Sequence, residues 1–395
     1  MNNQILIDEL SLRIRDHYSL FLDGLGKDIL MTAHSHQSWP NVSRDGHMQA
    51  WDDAAKYIDG KWDKVFSSVL PAFQEHVAKR IGSSRPQGIA IAPNTHELGY
   101  RLLSCFKHPP AILTTGSEFH SLRRQLNRLA EDGAQITNIE TQGEDFCERF
   151  CSAIREGDYD LVALSYVFFT NAEIVTQLPV ILSCAAERGF PVFVDLYHAF
   201  NTLELNVDSW PGQVFAVGGG YKYAQSGEGV CWMLIPEDAS TFRPRNTGWF
   251  ADFVHLEKQT TQIEYGDGGQ RFLGATFDPT SLYRANAVMD WMDEQGLTVQ
   301  VLRQQAQRQT ELIIETYEAS ELSKLGFKLA SPRSSDRRAS FVSLRHPNAM
   351  NICKELAKEG LRTDARRDLL RLGPAPYSTS DECMKAVEFI QRRAV

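Results

Sequence analysis

The chain has 395 residues, 43% of them apolar, with 41 basic against 50 acidic side chains for a formal net charge of −9. That length suits two domains with a substantial core. No run concentrates lysine or arginine, so nucleic-acid and anionic-membrane binding have no electrostatic footing. Seven scattered cysteines, without a CxxC pair, fit a reducing cytosol. The N-terminus is acidic where a signal peptide would be basic, and no apolar run approaches about eighteen residues. A cytoplasmic protein is expected.

Residues 4–25 and 48–82 carry apolar residues at helical spacing, as in Trp51, Ala55, Ile58, Trp62 and Phe66. From about 89 to 240 the pattern changes to short apolar runs at 89–92, 111–114, 135–139, 160–166, 191–195, 214–217 and 230–235. Separated by helical stretches, they predict an α/β fold whose mostly parallel seven-stranded sheet lies between helices. Residues 281–319 form a long amphipathic stretch interrupted near Gly296, a connecting helix into the last unit. There 325–330, 339–344 and 368–372 predict strands, and 348–359 and 380–393 predict helices. The expected organisation is an N-terminal segment over 1–60 packing with a small α+β domain, a large domain over 61–280, and the connecting helix and small domain over 281–395.

Two residues stand out by position. Asp195 closes the run Pro191–Val194, which places a carboxylate at a strand's carboxyl end, where open α/β sheets bind ligands. Lys222 follows 222 − 195 = 27 residues later, leaving the run 214–217 through three glycines at 218–220. A lysine among apolar strands is poorly solvated, which favours the neutral amine and suits it to attack a carbonyl. An aspartate facing a pyridine nitrogen would keep that nitrogen protonated, so the pair has the spacing that pyridoxal phosphate chemistry needs. Taken singly, the aspartate is also a turn or helix cap and the lysine a surface residue.

Other positions allow a site without demanding one. Asn94 and Thr95 follow an apolar run and precede an amphipathic stretch, so they can offer donors to a phosphate at a helix N-terminus; Asn94 with Glu97 also fits an ordinary capping box. Arg371 leaves a short apolar run before a Gly-Pro turn and can bind a carboxylate through two parallel hydrogen bonds, or serve as a surface ion pair. His34 and His36 alternate on a segment read as extended and would face one side, to read a substrate or remain two exposed loop histidines. A metal held by these two with His120 is not expected. No GlyXaaGlyXaaXaaGly turn follows an early strand, which argues against a nicotinamide dehydrogenase.

The segments Asp195–Ala199 (DLYHA), Ala216–Tyr223 (AVGGGYKY), Gly248–Phe250 (GWF) and Leu370–Thr379 (LRLGPAPYST) resemble, in content and order, the fold-type I pyridoxal phosphate enzymes of the class V aminotransferase superfamily, kynureninases above all. The resemblance runs from about residue 28 to the C-terminus. It implies that Lys222 forms the internal aldimine, that Asp195 pairs with the pyridine nitrogen, and that His198 lies beside the cofactor. It also implies that Phe119 stacks on the ring, that Asn94, Thr95, Tyr221 and Trp249 serve the phosphate, and that Tyr221 moves protons. Thr276 resembles a phosphate contact donated by the second subunit, which implies a homodimer with the active site at its interface. Arg371 would hold the α-carboxylate of a small amino-acid substrate, with His34 and His36 nearby.

The resemblance implies hydrolytic Cβ–Cγ cleavage of kynurenine or a related aryl β-keto amino acid. A class V aminotransferase, another β-elimination or decarboxylation lyase, and a non-catalytic pyridoxal phosphate-binding protein are the alternatives. Three departures bear on the reaction: Leu122 stands where kynureninases carry an acid, residues 32–40 (TAHSHQSWP) replace a Gly-Asn-Ser-Leu-Gly type of turn, and residues 224–229 (AQSGEG) lack part of the glycine and proline pattern. Cysteine desulfurase is disfavoured because residues 331–338 contain no cysteine and Tyr221, not histidine, precedes the lysine.

Overall fold

Short β-branched runs that alternate with amphipathic helices can bury both faces only as a central sheet covered on each side. The computed structural model, which describes residues 3–253 and 262–394, has this arrangement. Its sheet comprises β1 (Ile89–Ala92), β2 (Ala111–Thr115), β3 (Gln135–Ile139), β4 (Leu161–Ser165), β5 (Val192–Asp195), β6 (Val214–Gly219) and β7 (Cys231–Leu234). The order across the sheet is β1-β7-β6-β5-β4-β2-β3. β7 runs antiparallel to both neighbours, and the other pairs are parallel. All seven runs expected from the sequence are strands.

Alternate residues of each strand feed different cores. Val192 and Val194 pack with the helices Phe146–Glu156 and Leu178–Glu187, whereas Phe193 joins Leu98 and Leu102 on the opposite face. Register matters for the site: Ser165, Asp195 and Val217 lie side by side at the carboxyl ends of β4, β5 and β6.

The last third forms its own core, in which Val342–Arg345 pairs antiparallel with Leu369–Leu372 beneath the helices Val299–Ala319, Ala349–Lys358 and Ser380–Ala394. Ile7, Ile29 and Met31 are buried in that core, and Ile29–Leu30 pairs parallel with Leu361–Arg362, so the start of the chain is built into its end. The strands Leu361–Arg362 and Asp364–Arg366 were not expected, because two or three residues that include Asp and Arg make no apolar run.

The expected helices are broken more often than their periodicity suggests. Residues 4–25 divide into Asn3–Arg15, a tighter turn at Asp16–Tyr18, and Ser19–Leu25. The second helical region begins at Val42 and breaks at Ile58, where φ is +54°. The long C-terminal stretch breaks at Gly296 (φ +66°) and restarts at Thr298, whose side chain accepts a hydrogen bond from the Val301 amide.

Ser43, Gly46, Ala50 and Asp53 form the buried stripe of helix Val42–Tyr57, which packs on helix Thr280–Glu294. These small residues let the two backbones approach: a Cβ at Gly46 would lie 2.7 Å from the Tyr283 carbonyl oxygen and 2.9 Å from the Arg284 Cα. We expect Gly46→Val to overpack this crossing and to destabilise the protein by about 2 kcal/mol, read as a lower urea midpoint; an unchanged midpoint would show that the helices can separate freely.

Candidate active site

The parallel strand ends and the chain that follows β6 enclose a cavity of about 380 Å³. Asp195 and Lys222 both line it, as do Asn94, Thr95, Phe119 and Tyr221. The three glycines that lead to the lysine leave no room for side chains. A Cβ at Gly218 would lie 2.5 Å from the Trp232 ring, at Gly219 2.4 Å from both the Tyr197 hydroxyl and the Cys231 sulfur, and at Gly220 2.7 Å from Val230. The chain therefore passes flat beneath Tyr197 and delivers Lys222 to the cavity.

The Lys222 side chain is buried. Its Nζ lies 2.9 Å from Nε2 of His198 and 4.5, 5.4 and 5.7 Å from the ring centres of Tyr197, Phe119 and Tyr221. Burial pushes its pKa from 10.5 down to about 7; the Asp195 charge opposes this and Arg371 reinforces it. His198 is driven well below 6.5 by the same burial, then by the charges of Lys222, Arg371 and His34. A neutral imidazole beside a readily deprotonated amine follows, and the buried Nδ1 of His198 has no hydrogen-bond partner among the described residues.

Asp195 accepts the Tyr197 backbone N–H at 2.7 Å. Burial raises its pKa, against the pull of that bond and of Lys222. At the opposite end, Asn94 caps the helix Thr95–Leu103: its Oδ1 accepts the Glu97 amide at 2.9 Å, leaving the first-turn N–H groups at the cavity. Tyr221 is pushed up to about 12, chiefly by burial, so its hydroxyl keeps its proton at neutral pH.

The remaining expected residues are placed less simply. His34 and His36 do not face one side, because residues 32–36 form a turn in which the Ser35 and His36 amides both donate to the Thr32 carbonyl. His34 is buried, stacked on Phe341 at 4.8 Å, with Nε2 3.7 Å from Asp364. His36 is exposed, stacked on Tyr221 at 4.9 Å, with Nε2 3.4 Å from Glu228, a residue of the cavity wall. The same N-terminal segment reaches the lysine through Gln37, whose Nε2 donates to the Lys222 carbonyl at 2.7 Å.

Arg371 is buried and already engaged: Nη1 donates to the Phe169 carbonyl at 2.6 Å and Nη2 to Asp364, while Nε has no partner. Two parallel bonds to a substrate carboxylate would require Asp364 to release the guanidinium. Trp249 and Thr276 do not line the cavity of their own chain. Trp249 is partly exposed against Phe250 and Phe253, and Thr276 lines a neighbouring cavity of about 560 Å³. Leu122 packs against the apolar core that includes Ile112 and Leu126 and does not line the cavity.

Sequence reasoning missed Glu118. Buried beneath the cavity floor, it accepts from the Thr115 hydroxyl at 2.6 Å, the Ser165 amide at 3.0 Å and the Ser165 hydroxyl at 2.7 Å. Burial raises its pKa to about 7, those hydrogen bonds resist, and Asp195 adds to the rise. Its only sequence signal was an acid inside an otherwise structural turn. Asp364 was missed because its partners, His34, Arg366 and Arg371, are remote or inconspicuous in the sequence.

Comparison with known proteins follows the same lines. Residues 302–390 match the family model described as the kynureninase C-terminal domain. The kynureninase of Geobacillus thermodenitrificans (strain NG80-2) is 26% identical over 338 residues, covering 80% of this chain and 76% of its own. That of Shouchella clausii (strain KSM-K16) is 24% identical over 396 residues, covering 95% and 88%. Among solved structures, a C-DES mutant with glycine covalently linked to its pyridoxal phosphate cofactor superimposes with a TM-score of 0.81 at 16% identity, over 96% of this chain and 98% of its own. The apo cysteine desulfurase of Thermococcus onnurineus NA1 gives 0.77 at 16% identity, over 96% and 97%. At such identities the structures speak for the fold, that of the fold-type I pyridoxal phosphate enzymes, and the sequences make the chain similar to kynureninases over most of its length.

Proposed function

We infer that this protein is a pyridoxal 5′-phosphate enzyme that cleaves the Cβ–Cγ bond of kynurenine or a related aryl β-keto amino acid by hydrolysis. The observation that carries the reading is the Lys222 amine, buried, deprotonated near neutral pH and set in one cavity with Asp195, the Phe119 ring and the Thr95 helix terminus. These residues fit the cofactor. The orphaned Nδ1 of His198 and the N-terminus of the helix Thr95–Leu103 are polar features of the cavity lining.

Bound there, pyridoxal phosphate supplies an electron sink for charge that develops at the substrate's α-carbon. Lys222 would hold the cofactor's aldehyde carbon, and its amine is the base positioned to take a proton from the substrate's α-carbon. His198 keeps that amine in place and, being neutral, accepts its hydrogen bond. Asp195 would pair with the pyridine nitrogen and keep it protonated. Phe119 would cover one ring face. Tyr221 retains its proton and donates it as the carbon–carbon bond breaks. Arg371 would anchor the α-carboxylate once Asp364 yields it, with His34 beside Asp364, whereas His36 borders the cavity at Tyr221 and Glu228. Trp249 and Thr276, which do not line their own chain's cavity, are assigned to the phosphate of a second copy in a homodimer. On the proposed division into a segment over 1–60, a large domain over 61–280 and a small domain over 281–395, the substrate would bind between the last two.

The relatives named above carry kynureninase and desulfurase names and lend transamination no support. Desulfurase chemistry needs a mobile thiolate. Cys231, which lines the cavity, is buried with its pKa pushed up to about 12 and its sulfur 3.6 Å from the Tyr197 hydroxyl.

Three outcomes test the reading. The purified protein should show a visible cofactor band that borohydride removes, should lose covalent attachment in Lys222→Ala, and should release alanine from kynurenine or 3-hydroxykynurenine; a protein that stays colourless with added pyridoxal phosphate refutes it. Because the lysine is an ammonium below its pKa and an amine above it, reconstitution of the cofactor-free protein should accelerate as pH rises through about 7 and level off above; acceleration only near pH 10 would contradict the burial argument. Arg371→Gln should raise KM by about 100-fold, equivalent to about 3 kcal/mol, with a smaller effect on kcat.

A further inference from the structure

Four arginines lie behind the cavity wall that contains Phe169, and the reaction above uses one of them. Arg371 and Arg366 share Asp364, the latter through Nη1 at 3.0 Å from Oδ1. Arg371 also donates to the carbonyl of Phe169, which walls the cavity. The Phe169 ring packs on His120 with centroids 5.5 Å apart, and Nδ1 of His120 lies 2.6 Å from Nη2 of Arg123. Arg367 occupies the tip of the turn between Asp364–Arg366 and Leu369–Leu372, exposed, with a left-handed backbone (φ +53°). Among the described residues it makes no ion pair, and neither does Arg123.

Asp364 is therefore the one carboxylate paired with this group, again among the described residues. Four guanidinium charges against one carboxylate leave a surplus of 4 − 1 = 3. Their field converges on the cavity. After burial itself, His120 is depressed by Arg123, Arg366, Arg367 and Arg371 together, and Lys222 feels both Arg371 and Arg366. A substrate α-carboxylate offsets one charge and leaves two, and a neutral aryl side chain would offset neither. Holding an arginine in left-handed backbone at a hairpin tip is a local cost of the kind that collects at binding sites. The helix His120–Glu131 also starts at this rim without a side-chain cap, adding its positive end.

We propose that the substrate carries a second anionic group, a carboxylate or its equivalent, at the far end of its side chain, held at the cavity rim by Arg366, Arg367 and Arg123. The inference rests on reading the cavity as an α-amino acid site, and it adds a preference for side chains that end in an anionic group over neutral ones such as the acyl part of kynurenine. It is independent of which bond is broken. Guanidinium forks recognise carboxylates through charge-assisted pairs, so charge alone should discriminate between ligands of equal size.

The test is calorimetric binding to the cofactor-loaded enzyme of succinate, glutarate and adipate, each against the monocarboxylate of equal length. A parallel titration follows the cofactor's visible spectrum with L-glutamate against L-glutamine. The best dicarboxylate should bind at least about 10-fold tighter than its monocarboxylate, and glutamate should outcompete glutamine. In Arg367→Gln, whose native side chain makes no ion pair among the described residues, the preference should fall by half or more, and in the Arg366→Gln, Arg367→Gln double variant it should vanish. Equal affinities in the unaltered enzyme, or a preference that survives in both variants, would overturn the proposal. Absence of a cofactor band sinks this inference together with the reading it rests on, whereas a loaded enzyme indifferent to the second carboxylate sinks this inference alone.

Discussion

A primary amine held out of water governs this structure. Lowering the Lys222 pKa from 10.5 to about 7 corresponds to about 5 kcal/mol of penalty on the charged form. The surroundings have to sustain that penalty at every approach. Three glycines bring the backbone flat beneath Tyr197, aromatic rings surround the amine, and its hydrogen-bond partner is a histidine too deeply buried to carry charge. Moving any of these would admit water and restore an ordinary surface lysine.

The same constraint orders the acids. Asp195 and Glu118 are both raised by burial and are coupled through Ser165, which lies in register with Asp195 and donates to Glu118 twice. Asp364 behaves in the opposite way. Burial pushes its carboxyl up, but His34, Arg371 and Arg366 outweigh that and hold it well below the usual carboxylate range. The two sides of the cavity thus differ in kind: the floor under the strand ends is electrostatically lean, and the wall facing the C-terminal unit is rich in guanidinium charge. An amino acid bound between them would present its reacting carbons to the first and its carboxylates to the second.

Much of the scaffold was legible in the sequence because buried parallel strands are written as apolar runs between helices. The seven strands, Asp195 at a strand end and Lys222 after the glycines all came from that pattern. Boundaries within helices were not, since Ile58 and the turn at Asp16–Tyr18 break periodicity that continues through them. His34 and His36 were misread because alternation implies one face only on an extended chain, and the Thr32 carbonyl folds this segment into a turn. Trp249 and Thr276 were singled out by motif, yet a motif does not say whether its own chain's cavity is within reach.

By itself the sequence determined the sheet, the spacing of acid and lysine, and the chemical type of the site, because those depend on local hydrophobic pattern and on residue order. Tertiary structure decided everything that depends on pairing between distant segments. It set Asp364 against Arg371, buried His34 while exposing His36, placed Glu118 under Ser165, and gathered four arginines at one rim. Whether a charge is buried, paired or in surplus is a property of what packs beside it, and neighbours in space are settled only when the chain has folded.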